Sequence, residues 1–361
     1  MKYLILTNHS YMLWQFRREL IDKLAESGEV VISAPFVGHE DDFQKKYRCI
    51  ETEVDRRGIN PAKDLSLFRF YKRLLKAEKP DMVITYSIKP NIYGGYACCQ
   101  LGIPYCVNVQ GLGTAFQKEP IASIVTQMYK VALKKARVVF FENNGNAEEF
   151  VKRGIVSCDK ITVLHGAGVN LDYFEYKDYP SEDDGVHFLF LSRIMKEKGV
   201  DELIAAIKNL KKKYGDKARF DFVGFFEDEY KETIEELDRE DLIKFLGFQT
   251  DPRPFYASAH CVVLPSYHEG MSNVLLEGAA TGRCLITTDI PGCREAVDDG
   301  VTGFLCEKAN AESLESALEK VLLLNRTERE AMGRKSREKI EKEFNRNAVI
   351  MHTIEAIKEK Q

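Results

Sequence analysis

Short β-rich apolar runs alternate with helical segments along almost the whole chain, and that alternation constrains the fold more than any other feature. YLILTN (3–8) precedes a helical pattern, LWQFRRELIDKLAESG (13–28), and EVVISAP (29–35) follows it. DMVITYS (81–87), a helix across 91–101, IPYCVNV (103–109), a helix across 121–135 and RVVFFEN (137–143) continue the series. Antiparallel neighbours need only a tight turn, so strands separated by helices of about ten residues or more imply parallel sheets covered on both faces. The stretch LHGAGVNLDYFEYKDYPSEDDG (164–185) has no periodicity and reads as an inter-domain connection. The alternation then restarts with VHFLFLSR (186–193), ARFDFVG (218–224), IKFLGF (243–248), CVVLPS (261–266), RCLITTD (283–289) and TGFLCE (302–307). Charged helices close the chain from about Ala311. The pattern predicts two doubly wound α/β domains facing across a cleft, with ligands beyond the carboxyl ends of the strands. The expected boundaries are an N-terminal domain over 1–168, a C-terminal domain over 169–345, and a final helix over 346–361 that packs back toward the first domain.

A chain of 361 residues, 44% hydrophobic, has enough apolar material for two cores. A net charge of -4 argues against a dedicated nucleic-acid binder. The charge is uneven: residues 1–165 carry a net +6 and the remainder -10, so the halves are expected to meet different partners. Nine cysteines form no CxxC pair and read as reduced core residues. MKYLILTNHS is too short an apolar run for a signal peptide, and no apolar stretch approaches the ~20 residues that span a bilayer. The expected compartment is the cytoplasm.

Each strand-to-helix junction of the C-terminal half is a potential ligand contact. CVVLPS ends at Ser266, and NVLLEGAAT is the next helix, so HEGMSN lies at a strand's carboxyl end. The first amides of that helix and its dipole suit a phosphate. Gly270 would admit a close backbone approach. Glu269 in the loop and Glu277 within the helix would flank such a phosphate, and a carboxylate accepts well from the vicinal diols of ribose or a hexose. Taken alone, two glutamates near a helix start more often only complement its dipole, worth ~0.3–1 kcal/mol. LSRIMKEKGVDELI (191–204) alters the balance by placing Arg193 at a strand end and Lys198 at a helix start. Cations there oppose the dipole, but beside a diphosphate they would offset the charge it gains on leaving.

HEGMSNVLLEGAATG, with its Glu-x7-Glu spacing, and SRIMKEKGVDEL resemble the donor-site signatures of family-four retaining glycosyltransferases with the GT-B fold, two Rossmann-like domains facing across a cleft. DIPGCREAVDDGVTGFL (289–305) and GAGVNLDYF (166–174) resemble further stretches of that family, so the likeness covers essentially the whole chain. TYSIKPNIYGGYACCQLGIPYCVNVQGLGTAF (85–116) is similar to a bacterial subgroup that builds capsular and other lipid-linked surface glycans. The resemblance implies that Arg193 and Lys198 bind the donor diphosphate, that Glu269 contacts the donor sugar, and that Glu277 holds the ribose. It implies that backbone N–H groups of Met271, Ser272 and Asn273 face the sugar or phosphate, and that Gly224 and Phe248 lie near the base. It further implies a hexosyltransferase that uses a nucleotide sugar, expected to be UDP-linked, with no cofactor and no metal. No Asp-x-Asp occurs in the chain. Gln110 stands where many members have a histidine, and glutamine can hydrogen-bond a hydroxyl but is no base near neutral pH. His9, Lys89 and Asn91 are the other acceptor-side candidates.

The implied acceptor is a saccharide or a lipid-linked glycan. LFRFYKRLLKAEK (67–79) mixes Arg69, Lys72, Arg73, Lys76 and Lys79 with apolar residues, which fits either an anionic membrane surface or a solvated helix face. The expected place is therefore the cytoplasm, with peripheral contact to the inner face of the cell membrane. Two other functions are weighed: a non-hydrolysing nucleotide-sugar 2-epimerase and a non-catalytic nucleotide-sugar-binding protein. The first would need acid/base groups deep in the cleft. The intact set of Arg193, Lys198, Glu269 and Glu277 argues against the second. No GxGxxG follows the first strand, which disfavours a dehydrogenase.

Overall fold

A computed structural model of the chain describes residues 1–55, 58, 60–113, 116 and 119–359. Thr114 and Ala115 of the N-terminal stretch quoted above, and Lys360 and Gln361 of the expected final helix, lie outside the described residues. The chain separates into two compact units, Met1–Ala167 with Val349–Gln361, and Gly168–Ala348.

The first unit is a seven-stranded parallel sheet: β1 (Lys2–Leu6), β2 (Glu29–Ala34), β3 (Arg48–Glu51), β4 (Met82–Tyr86), β5 (Tyr105–Val109), β6 (Val138–Phe141) and β7 (Ile161–Val163). Their spatial order is β3-β2-β1-β4-β5-β6-β7. Strand period dictates the layers. Tyr3 and Ile5 of β1 face one apolar layer with Leu13, Leu20 and Ile21, while Leu4 and Leu6 face the other with Leu67, Tyr71 and Leu75. Every residue of β4 and β5 is buried, which is why these strands read as unbroken apolar runs. The final helix, Arg346–Glu359, sends Val349, Ile350, Ile354 and Ile357 into the first of these layers. Fully burying an aliphatic side chain contributes about 1.5–3 kcal/mol, so this helix is a substantial part of the first core.

The second unit is a six-stranded parallel sheet: β8 (Val186–Leu191), β9 (Ala218–Val223), β10 (Lys244–Phe245), β11 (Cys261–Leu264), β12 (Cys284–Thr288) and β13 (Gly303–Cys306). The order is β10-β9-β8-β11-β12-β13. In each unit the chain winds outward from its first strand and then returns to that strand's other side. The reversal falls between β1 and β4 in the first unit and between β8 and β11 in the second. Helices leave opposite faces of the sheet at such a point, so their loops part and leave a crevice at the carboxyl ends.

Candidate functional site

The β8/β11 reversal point gathers the charged residues of the second unit. The chain leaves β8 through Ser192–Gly199 and leaves β11 through Pro265–Ser272. The Tyr267 N–H donates to the Glu197 carbonyl at 2.8 Å and ties the two loops together. Gly199 has φ +71, and a Cβ there would lie 2.1 Å from the Pro265 carbonyl oxygen, so only glycine allows this approach. The clamp brings the Lys198 ammonium onto the Glu269 carboxylate as an ion pair. The Ser266 hydroxyl donates to the same carboxylate oxygen at 2.8 Å. Both side chains of the pair are mostly buried, which strengthens their attraction relative to a surface pair.

Arg193 follows β8 by two residues and pairs with Glu227 at 2.6 Å, with 42% of its side chain exposed. Each cation expected to face a diphosphate therefore has a carboxylate partner. Glu227 escapes a reading of the sequence because its partner, Arg193, comes from another loop. A carboxylate just beyond the end of β9 is the only local hint of Glu227.

The helix Asn273–Ala280 starts beside the pair, with Ser272 as its N-cap accepting from the Leu275 N–H at 3.4 Å. Ser272 requires a correction. Its own N–H donates to the Gly292 carbonyl at 2.9 Å, so that amide fastens the loop after β12 instead of facing a ligand. Met271 lies in the core. Gly270 and Asn273 are partly exposed at the helix start. Glu277 is only 6% exposed. Its Oε2 accepts from the Tyr256 hydroxyl at 2.8 Å. Burial pushes its carboxyl up from the ordinary 4.5 to about 7, against the opposing pull of the Tyr256 hydrogen bond and the Arg346 charge.

Gly224 follows β9 directly, with its N–H donating to the Gly247 carbonyl at 2.9 Å. A Cβ on Gly224 would lie 1.8 Å from the Ser192 carbonyl oxygen, so β9 can close on the Arg193 loop only with glycine here. Phe248 is 56% exposed and meets Phe225, also exposed, edge to face at 5.9 Å between ring centroids. Two solvent-facing rings in one loop cluster can stack on a planar ligand group. No sequence motif marks Phe225.

In the first unit, His9, Lys89 and Asn91 follow the two strands of the β1/β4 reversal, and Gln110 follows neighbouring β5. His9 caps the helix Ser10–Ala25 by accepting from the Met12 N–H at 3.4 Å. The Gln110 amide donates to the Met12 sulfur at 3.3 Å, which places it beside the same helix start. Lys89 is held by Asp64 at 2.7 Å and by the Gly58 carbonyl at 2.8 Å. Asn91 is fully buried, accepts from Thr85 and donates to the Asn108 carbonyl. That corrects its placement among the acceptor-side residues: its amide binds the β4 and β5 ends into the scaffold. The first turn after β4 is a π-helix, Pro90–Gly94, entered through Ser87 at φ 73, a departure from regular helix that often marks functional ground.

Among the described residues no three His, Cys, Asp or Glu side chains are grouped as they would be around a metal ion, and no helix is long and apolar enough to cross a membrane.

Comparison with known proteins adds to this geometry. A family model described as "Glycosyl transferases group 1" matches residues 174–339, and one described as "Glycosyl transferase 4-like" matches residues 2–143. The chain is 28% identical over 335 residues to the N,N'-diacetylbacillosaminyl-diphospho-undecaprenol alpha-1,3-N-acetylgalactosaminyltransferase of Campylobacter jejuni, covering 86% of each chain. It is 26% identical over 317 residues to the capsular polysaccharide biosynthesis glycosyltransferase CapM of Staphylococcus aureus, covering 82% of each. The solved structure of Anabaena HepE in complex with UDP superposes with a TM-score of 0.80 at 16% identity, over 99% of this chain and all of that one, a likeness of fold.

Proposed function

The chain belongs to the family-four glycosyltransferases of the GT-B fold, and we propose that it moves a hexose or N-acetylhexosamine from a nucleoside-diphosphate sugar to a lipid-linked or saccharide acceptor in bacterial surface-glycan assembly, with retention at the anomeric carbon. The observation that carries this is the Lys198–Glu269 pair, set against the start of helix Asn273–Ala280 at the β8/β11 reversal. A donor diphosphate entering there takes Lys198 from Glu269 and Arg193 from Glu227. Glu269 is then free to accept from hydroxyls of the donor sugar, and Glu277 accepts from the ribose. The bond between the anomeric carbon and the diphosphate oxygen breaks, and its electron pair stays on the diphosphate. Lys198, Arg193 and the helix terminus offset that charge. The acceptor hydroxyl oxygen bonds to the anomeric carbon from the side the diphosphate leaves, and its proton passes to the departing phosphate.

The positive field of Lys198, Arg193 and the helix terminus does what a divalent cation would do, so the enzyme works without metal or other cofactor. Uridine is the base, a reading supported by the UDP complex of the structural relative. The acceptor is membrane-bound, as the Campylobacter relative's undecaprenol-linked acceptor suggests. The protein then works in the cytoplasm against the inner face of the cell membrane, with the basic helix Pro61–Glu78 of the first unit toward the lipid.

Donor hydrolysis across a panel of nucleotide sugars, with the anomeric configuration of the released sugar read by NMR, tests the reading. One donor class releasing the retained sugar is the expected result. Release of a C2-epimerised sugar, or no turnover of any donor, would overturn it.

A further inference from the structure

We propose that Tyr256 is a positioning residue of the donor site, holding the Glu277 carboxylate toward the ribose of the nucleoside diphosphate. This rests on the donor-site reading above and extends it to a residue in the helix Arg253–Ser258, outside the two motif loops. The two oxygens of Glu277 differ. Oε2 accepts from the Tyr256 hydroxyl at 2.8 Å. No hydrogen bond to Oε1 is found among the described residues, and 6% of the residue stays exposed. One oxygen is anchored, which leaves the other to accept from a diol.

Tyr256 can anchor because it is itself fixed. Its ring is fully buried, with Phe174 edge-on at 6.0 Å. Arg283, also fully buried, donates to the Tyr256 carbonyl at 2.8 Å and the Ala257 carbonyl at 3.0 Å. The same guanidinium donates to the carbonyls of Lys177 and Asp178 at 3.2 and 3.0 Å. A buried cation that donates to five backbone carbonyls, these four and that of Gly282, pins this short helix to the segment that leads into β8, and the phenol hydroxyl inherits that rigidity. The sequence gives no sign of the arrangement, since Tyr256 lies 21 residues from Glu277.

A buried tyrosine–glutamate bond that only satisfied burial would support the fold and nothing more. The two roles separate by ligand. Calorimetry with uridine diphosphate and with 2′,3′-dideoxyuridine diphosphate should be run on the wild-type protein, Tyr256→Phe, Glu277→Gln and the double variant. Tyr256→Phe should bind uridine diphosphate about tenfold more weakly, the scale of one lost hydrogen bond, and bind the dideoxy analogue as the wild type does. KM for the donor should rise with kcat little changed. The double variant should lose no more than Glu277→Gln alone. Equal loss on both nucleotides, or none on either, would overturn the positioning role. If Glu277→Gln also fails to distinguish the nucleotides, the ribose assignment falls and takes this proposal with it. If Glu277→Gln distinguishes them and Tyr256→Phe does not, only the role of Tyr256 is lost.

Discussion

Lys198 is paired with Glu269, so on the proposed reading a diphosphate must outcompete a carboxylate before the cation assists departure. Lys198→Ala leaves the departing diphosphate without that cation. Removing one such contact from an oxyanion site costs roughly 2.7–4 kcal/mol, so turnover at saturating donor should fall about a hundredfold to a thousandfold. The wild-type rate should be the same with and without EDTA. Near-normal turnover in the variant contradicts the assignment, and chelator inhibition reversed by magnesium or manganese contradicts metal independence. Glu277 makes a second prediction, in stability. Its carboxyl rises from 4.5 to about 7 on folding, so the native state holds a proton that the unfolded chain releases between those values. The stability this contributes is fully present below about pH 4.5 and is lost as pH rises through about 7. A rise of that size corresponds to roughly 3 kcal/mol. Glu277→Gln should therefore melt above the wild type at pH 8 without ligand, with the gap closing toward pH 4.5. A gap independent of pH, measured by differential scanning calorimetry across that range, would show that Glu277 ionises as an exposed carboxylate does.

The functional loops are held by backbone, and glycine sets the tolerance. Gly199→Ala forces a left-handed residue and drives a methyl into the Pro265 carbonyl, so the Lys198 turn must move away from Glu269. Gly215, at φ +56 with nothing near its Cβ position, is the control: alanine there meets the backbone strain alone. Strain of this kind costs about 1–3 kcal/mol. Urea melts should show both variants destabilised, Gly199→Ala more so, and donor KM should rise only in Gly199→Ala. Equal donor KM in the two would show that the clamp does not set the Lys198 position. The elements differ in how far the sequence announces them. The buried central strands β4, β5, β11 and β12 are visible as apolar runs because helices cover both their faces. β3 and β7 were not visible. Each is a short edge strand, and RCIE and ITV are too brief and too exposed to leave a pattern. The run IKFLGF yields only the two residues of β10, because Gly247 at φ +65 turns the chain away. Motif residues could be placed from sequence because the loops keep a fixed offset from strand ends. Their partners Glu227 and Tyr256 could not, since Arg193–Glu227 forms only once β8 and β9 lie side by side and Tyr256–Glu277 only once the helices before and after β11 pack together. Ser266 lies three residues from Glu269, but no motif marks the pairing.

At the scale of the whole molecule, charge separates the two halves. Arg69, Arg73 and Lys76 stand exposed along helix Pro61–Glu78, near an exposed Leu65. Lys72 is partly withdrawn, donating to Gln100 and standing over the Phe68 ring. Attraction of about 1 kcal/mol per cation, screened within about 8 Å at physiological salt, would give weak and salt-sensitive membrane contact. The protein should sediment with anionic vesicles and not neutral ones, be released by high salt, and bind less after Arg69, Arg73 and Lys76 are replaced by serine. Equal binding to both vesicle types would remove the electrostatic account and leave the transferase assignment intact. The helix Arg346–Glu359 sets an order of events during translation. Val349, Ile350, Ile354 and Ile357 leave the ribosome only after all of Gly168–Ala348, yet they complete the core of the unit begun at Met1. The first unit to be synthesised is therefore the last to be finished. Until residues beyond 348 emerge, the apolar side chains of Leu20, Ile21 and Leu24 wait without part of their cover, and a nascent chain stalled there should be a preferred client of a chaperone.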